Sequence, residues 1–145
     1  MSNTTQHAPH LLIVDDDPIV VMLHKRISKK AGLHKAPQIC MNGEEALHYI
    51  QQQNTPADYY VVLLDINMPV MDGWELLEKL SHTALEATVN VVMVTSSLDA
   101  SDEKRANEYQ HVIGYITKPI RKESLEALSA DPRLEGYINA LQASK

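Results

Sequence analysis

Short apolar runs recur along the chain, and each stops on a residue able to handle phosphate or metal. Leu11-Leu12-Ile13-Val14 runs into Asp15-Asp16, and Val61-Val62-Leu63-Leu64 into Asp65. Val91-Val92-Met93-Val94 runs into Thr95-Ser96, and Ile113-Gly114-Tyr115-Ile116-Thr117 into Lys118-Pro119. Unbroken runs rich in Val, Ile and Leu mark strands covered on both faces, as in a parallel sheet. Open parallel sheets build their sites just beyond the carboxyl ends of their strands. The pattern therefore predicts one crevice where three acids, a hydroxyl and a lysine converge.

Between the runs the period changes to that of helices. Asp17 caps a helix opening at Pro18, with Ile19, Leu23, Ile27 and Ala31 on its inner side and Gly32 as its stop. A weak strand near Ala36 to Cys40 leads through Asn42-Gly43 to a helix carrying Ala46, Leu47 and Ile50 and ending near Gln53. The third strand spans about Tyr59 to Leu64. After it, a helix starts near Gly73 with Trp74, Leu76, Leu77 and Leu80 inward. A fourth strand covers about Val89 to Val94. Asp99 or Ser101 caps the next helix, which ends near Tyr109, and the fifth strand spans about Ile113 to Ile116. The helix carrying Leu125 and Leu128 is interrupted at 129–132, where Asp131 caps a new helix with Pro132 in its first turn. The new stripe of Leu134, Tyr137, Ile138 and Leu141 is expected to pack on the chain's own core. Alternating strands and helices imply crossover units: a doubly wound α/β fold of three layers, helices on both faces of a five-stranded parallel sheet.

Composition fits one domain. The chain has 145 residues, 44% of them hydrophobic. Residues 1–10 are polar, lack the apolar core of a signal peptide and read as a disordered tail, leaving 11–145 as the domain. No apolar stretch approaches the ~20 residues of a membrane helix. One cysteine, Cys40, suits a reducing cytoplasm. The net charge of −6 argues against nucleic-acid binding. Lys25, Arg26, Lys29, Lys30 and Lys35 form a basic cluster that reads as a solvated helix face. His7, His10, His24, His34, His48, His82 and His111 show no i, i+4 metal pair and read as surface or packing residues.

The acids carry the chemistry. Asp17 is spent on the helix cap, but Asp15 and Asp16 share a crevice with Asp65. Two carboxylates about 4 Å apart repel by roughly 4 kcal/mol at an effective dielectric of 20. A cation or a shared proton must relieve them. All-oxygen ligands with room for water and phosphate suit Mg²⁺. Lys118 would balance the pocket and grip a phosphoryl oxygen as a point charge, and Thr95 would supply a hydroxyl donor.

These residues resemble a known family. Val14-Asp15-Asp16-Asp17-Pro18, Leu64-Asp65-Ile66-Asn67-Met68-Pro69, Asp72-Gly73, Val94-Thr95-Ser96 and Lys118-Pro119 look like the receiver domain of two-component response regulators, as does Asn42-Gly43-Glu44-Glu45-Ala46-Leu47. The resemblance covers roughly Leu11 to Leu128 and implies the flavodoxin-like strand order 2-1-3-4-5. It implies Asp65 as phosphoacceptor from a phosphohistidine on a sensor histidine kinase or phosphotransfer protein. It further implies Mg²⁺ held by Asp16 and Asp65, by the Asn67 backbone carbonyl and by Asp15 through water. Thr95 and Lys118 would hold the phosphoryl group, and Tyr115 would reorient when Thr95 moves. The face made by the fourth helix, fifth strand and last helix would then change for a downstream protein or a second copy of the chain. The extra segment 131–141 is expected to adjoin that face. The resemblance implies a self-modifying switch in a stand-alone receiver, with no external metabolite turned over. The alternative is a haloacid-dehalogenase-like phosphohydrolase. That family places a second Asp two residues after its nucleophile, where this chain has Asn67, unable to shuttle a proton at neutral pH.

Overall fold

Side chains alternate across the third strand, and this alternation divides the core in two. In the computed structural model, which describes residues 8–144, Tyr60, Val62 and Leu64 enter one buried cluster and Val61 and Leu63 the other. The strands are Ala8–Val14 (β1), Gln38–Cys40 (β2), Asp58–Leu64 (β3), Thr88–Thr95 (β4) and Val112–Thr117 (β5). All pair in parallel, in the order β2-β1-β3-β4-β5, as the pattern predicts. The helices are Pro18–Lys30 (α1), Gly43–Gln52 (α2), Gly73–Ser81 (α3), Ala100–Ala106 (α4), Lys122–Ser129 (α5) and Glu135–Ala143 (α6). Residues from α2, α3 and α4 fill the first cluster; Val21 of α1, Leu125 of α5 and Tyr137 of α6 join the second.

Three expectations need correction. Ala8, Pro9 and His10, assigned to the tail, belong to β1, opposite Asp58, Tyr59 and Tyr60. Proline is tolerated there near the start of a strand; residues 1–7 lie outside the described range. On α1, Ile19 and Leu23 are exposed, at 76% and 42%. The buried face is instead Val21, His24 and Ser28. Apolar residues occupy both sides of this helix, so the four-residue spacing alone could not choose the inner one. α4 is also shorter than predicted, giving way after Ala106 to a turn closed by Tyr109 N–H on the Ala106 carbonyl.

The C-terminal segment behaves as its stripe predicts. Asp131 accepts from Arg133 N–H at the head of a 3-10 turn, Pro132–Leu134, that leads into α6. Leu134, Tyr137 and Leu141 are buried, and the Tyr137 hydroxyl donates to the Leu33 carbonyl at 2.7 Å. α6 lies over β1 and β3, covering the middle of the sheet, while the start of the segment directly follows α5 and reaches β5. Its hydrogen bond to β5 is from Arg133 to the Ile113 carbonyl.

Candidate functional site

Four strand ends bring the site together. β1 delivers Asp15, which is 2% exposed and accepts from Asp17 N–H, while Asp16 points to solvent. β3 delivers Asp65, 7% exposed. β4 ends on Thr95, fully buried, whose Oγ1 accepts from Ser97 N–H at 3.1 Å. β5 leads to Lys118, whose N–H bonds to the Thr95 carbonyl at 2.7 Å. The Lys118 ammonium lies 2.7 Å from Asp15 Oδ2 and 3.3 Å from Asp65 Oδ1. Asp15, Asp16 and Asp65 each present a carboxylate oxygen within 4.8 Å of the other two.

The loop after β3 is shaped to keep Asp65 in place. A Cβ on Gly73 would stand 2.5 Å from the Asp65 carbonyl oxygen, so only glycine lets α3 start here. Gly73 N–H bonds to the Ile66 carbonyl, and Asp72 and Glu75 form a capping box on α3. Between them Val70 has φ 69°, a left-handed conformation that costs a β-branched residue about 1–3 kcal/mol. Met71 N–H closes this tight turn on the Pro69 carbonyl. Asn67, on the same loop, is exposed.

Charge in the crevice is only partly balanced. Burial raises the Asp65 pKa, and the Asp15 carboxylate raises it further; Lys118 and the Ile66 N–H oppose both. Burial alone would lower the Lys118 pKa, but its bonds to Asp15 and Asp65 outweigh that and raise it. Two buried carboxylates thus share one ammonium. The donor set is hard oxygen throughout, which fits a small divalent cation such as Mg²⁺.

Some participants escape a motif-based reading. His24 is buried behind the crevice, and burial holds its imidazole pKa down at about 4, with Asp15 pulling the other way. Six large apolar side chains are exposed among the described residues: Ile19, Met22, Leu23, Met41, Val70 and Leu98. All lie on segments that follow the carboxyl ends of β1 to β4. In sequence they look like ordinary core residues, and only the helix and loop geometry turns them outward. The Tyr115 hydroxyl is shielded from water without a well-formed hydrogen bond. Leaving such a group unsatisfied costs about 1–3 kcal/mol.

Comparison with known proteins agrees with this geometry. The profile of the response regulator receiver domain matches residues 11–129. Two-component response regulator ARR22 of Arabidopsis thaliana is 34% identical over 116 residues, covering 80% of this chain and 78% of that protein. ARR11 from the same plant is 33% identical over 119 residues, covering 81% of this chain, which spans only 21% of that relative's length. The chain spans 16% of the related ARR2. Among solved structures, the bacteriophytochrome response regulator RtBRR superposes with a TM-score of 0.70 at 25% identity, covering 94% of this chain and 90% of that one. A two-component response regulator from Cytophaga hutchinsonii shares the fold with a TM-score of 0.71 at 24% identity, covering 94% of this chain and 98% of that one. The phosphohydrolase alternative finds no support among these matches. With its strand order, its acid crevice and a family match over most of its length, the chain belongs to the receiver domains of two-component response regulators.

Proposed function

We propose that this receiver takes a phosphoryl group onto Asp65 from a phosphohistidine on a sensor histidine kinase or phosphotransfer protein, in the cytoplasm and with Mg²⁺. The observation that carries the reading is the convergence of Asp15, Asp16 and Asp65 with Lys118 and Thr95 at the ends of four strands. An Asp65 carboxylate oxygen attacks phosphorus, the P–N bond breaks as the P–O bond forms, and the imidazole leaves with its electron pair. No general base is needed, because phosphoryl transfer is chiefly positioning and charge neutralisation. Lys118 reaches Asp65 already and grips a phosphoryl oxygen, while Thr95 donates its hydroxyl proton to another. Asp15, Asp16, Asp65 and the Asn67 carbonyl would hold Mg²⁺, which neutralises charge on the phosphoryl oxygens when bound.

The exposed apolar side chains support a protein donor. Six exposed large hydrophobics on the segments that follow β1 to β4 suit a macromolecular partner better than a small phosphate ester. Among the described residues no helix is long and apolar enough to cross a membrane. Burial, with Glu45, pushes the Cys40 thiol up to about 12, leaving it unreactive.

The test is labelling by acetyl phosphate with Mg²⁺, alongside steady-state assay of a phosphate ester. One phosphoryl group per chain, absent from Asp65→Asn protein and without sustained ester turnover, is expected. Undiminished labelling of the variant would remove the assignment, and sustained turnover would revive a phosphohydrolase.

A further inference from the structure

Half of the exposed large apolar side chains, Ile19, Met22 and Leu23, stand on α1, and the same helix gathers positive charge. Residues 18–43 hold five Lys or Arg and no Asp or Glu, leaving eight basic against nineteen acidic residues elsewhere. Ile19, Met22, Leu23, Arg26, Lys29 and Lys30 recur at helical spacing on one outward stripe, opposite the buried Val21, His24 and Ser28. Lys25, also exposed, borders that stripe. Among the described residues, none of these four cations is in an ion pair. Lys25 with Lys29, and Arg26 with Lys30, are like charges four residues apart, a spacing that weakens a helix. The negative end of the helix accounts for Lys29 and Lys30 in the last turn, but Lys25 and Arg26 stand a turn earlier. A merely solvated face has no need of two like-charged pairs beside three exposed apolar side chains.

The composition of the stripe selects its partner. Protein interfaces favour aromatic side chains and Arg, and are poor in Lys. The exposed residues of α1 include no aromatic, and three of its four cations are lysines. A lysine ammonium is a hydrated point charge that needs no fixed geometry, which suits a diffuse layer of phosphates. Its aliphatic stem lies along apolar surface while its head stays in water. Apolar residues beside a Lys-rich patch on one helix are the pattern of a helix that rests on a membrane surface. Asp16 and Asp17, exposed ahead of α1, mark the limit of the patch.

We propose that the outward face of α1 docks this protein on an anionic lipid bilayer, with Lys25, Arg26, Lys29 and Lys30 against lipid phosphates and Ile19, Met22 and Leu23 in the headgroup layer. The helix lies on the surface and does not cross it. This goes beyond the phosphoacceptor reading and does not rest on it. The chain's net charge of −6 does not forbid the contact, because at physiological salt charges beyond about 8 Å are largely screened. The acidic remainder of the chain instead orients the molecule, with α1 toward the lipid.

The experiment sediments the full chain with vesicles of phosphatidylcholine alone, or of equal parts phosphatidylcholine and phosphatidylglycerol. At about 0.1 M salt the protein is expected to pellet with the anionic vesicles and not with the neutral ones. Raising the salt to about 1 M, which shortens the Debye length from about 10 to 3 Å, should release it. Lys29→Glu with Lys30→Glu should cut partitioning about tenfold or more. Lys79→Glu with Lys104→Glu, the same charge change on α3 and α4, should reduce it far less. Met22→Ser should weaken binding while leaving its salt dependence in place. If the Lys29 and Lys30 variant fails to fold by circular dichroism, Lys25→Gln with Arg26→Gln decides in the same way. Equal pelleting with neutral vesicles, or equal losses in the two charge-reversed pairs, would overturn the proposal. So would a wild type that stays in solution with anionic vesicles, a result that would leave the stripe to an acidic protein. Acetyl phosphate labelling, followed separately by mass, is expected unchanged in the Lys29 and Lys30 variant. Failure of wild type to label at Asp65 would strike the phosphoacceptor reading and leave membrane docking standing.

Discussion

β3 has a buried aspartate at each end. Asp58 opens the strand at 6% exposure, and Asp65 follows it at 7%. Asp58 is saturated: Oδ1 pairs with His10 Nε2 at 2.8 Å, and Oδ2 accepts from the Thr55 N–H and Thr55 hydroxyl. The His10 ring stacks on Tyr60 at 4.4 Å, closing the cluster. Asp65 has a longer contact to an ammonium that Asp15 holds more closely. Equal burial thus conceals opposite designs. A carboxylate whose lone pairs are filled by its own fold is a structural pin, whereas one left short of partners beside a second carboxylate is ready for an external cation and an electrophile.

Breaking the pin should cost the most. Asp58→Ala strands His10 and both Thr55 donors, and should lower the unfolding free energy by about 3 kcal/mol in urea titrations, with phosphoryl labelling retained. Loss of labelling in folded Asp58→Ala protein would merge the two ends into one functional unit. His24 sharpens the boundary between them. Its pKa is held at about 4 against 6.5 in the unfolded chain, so the unfolded state binds the extra proton as pH falls between those values, and stability falls with it. Replacing His24 with Leu should flatten that acid limb, which in wild type is worth on the order of 3 kcal/mol. Melts across this range give the comparison.

Smaller effects follow at the other end of β3. Saturation with Mg²⁺ tenfold above its Kd should add about 1.4 kcal/mol to wild-type stability, and Asp16→Asn should lose most of that gain. Without the ion, Asp65→Asn should be more stable than wild type by about 1 kcal/mol at neutral pH. The sign follows from the raised Asp65 pKa: the penalty is full once the folded carboxylate ionises, shrinks as pH falls through its folded value, and is gone below the ordinary carboxylate range. A metal-free Asp65→Asn protein less stable than wild type would mean that Lys118 more than compensates for Asp15.

Much of this was legible in sequence. The strand runs gave away the sheet, and their terminal residues Asp15, Asp65, Thr95 and Lys118 do meet. Legibility failed where two physical solutions share one pattern. α1 is apolar on both sides, so Ile19 and Leu23 looked buried and His24 did not. Pro9 and His10 read as a tail because pairing of an edge segment with β3 leaves no hydrophobic signal, and the bond from His10 to Asp58 joins residues 48 positions apart. The Ser97–Asp102 bond joins residues whose individual roles, a loop serine and a helix acid, are unremarkable until the turn brings them to 2.6 Å.

The central claim is that only the under-satisfied aspartate of β3 accepts phosphate. Acetyl phosphate and Mg²⁺ treatment, followed by borohydride reduction and peptide mass mapping, converts a phosphorylated aspartate to homoserine and reads the site directly. Homoserine at Asp65 alone is the expected result. Homoserine at Asp15, Asp16 or Asp58 in place of Asp65 would contradict it.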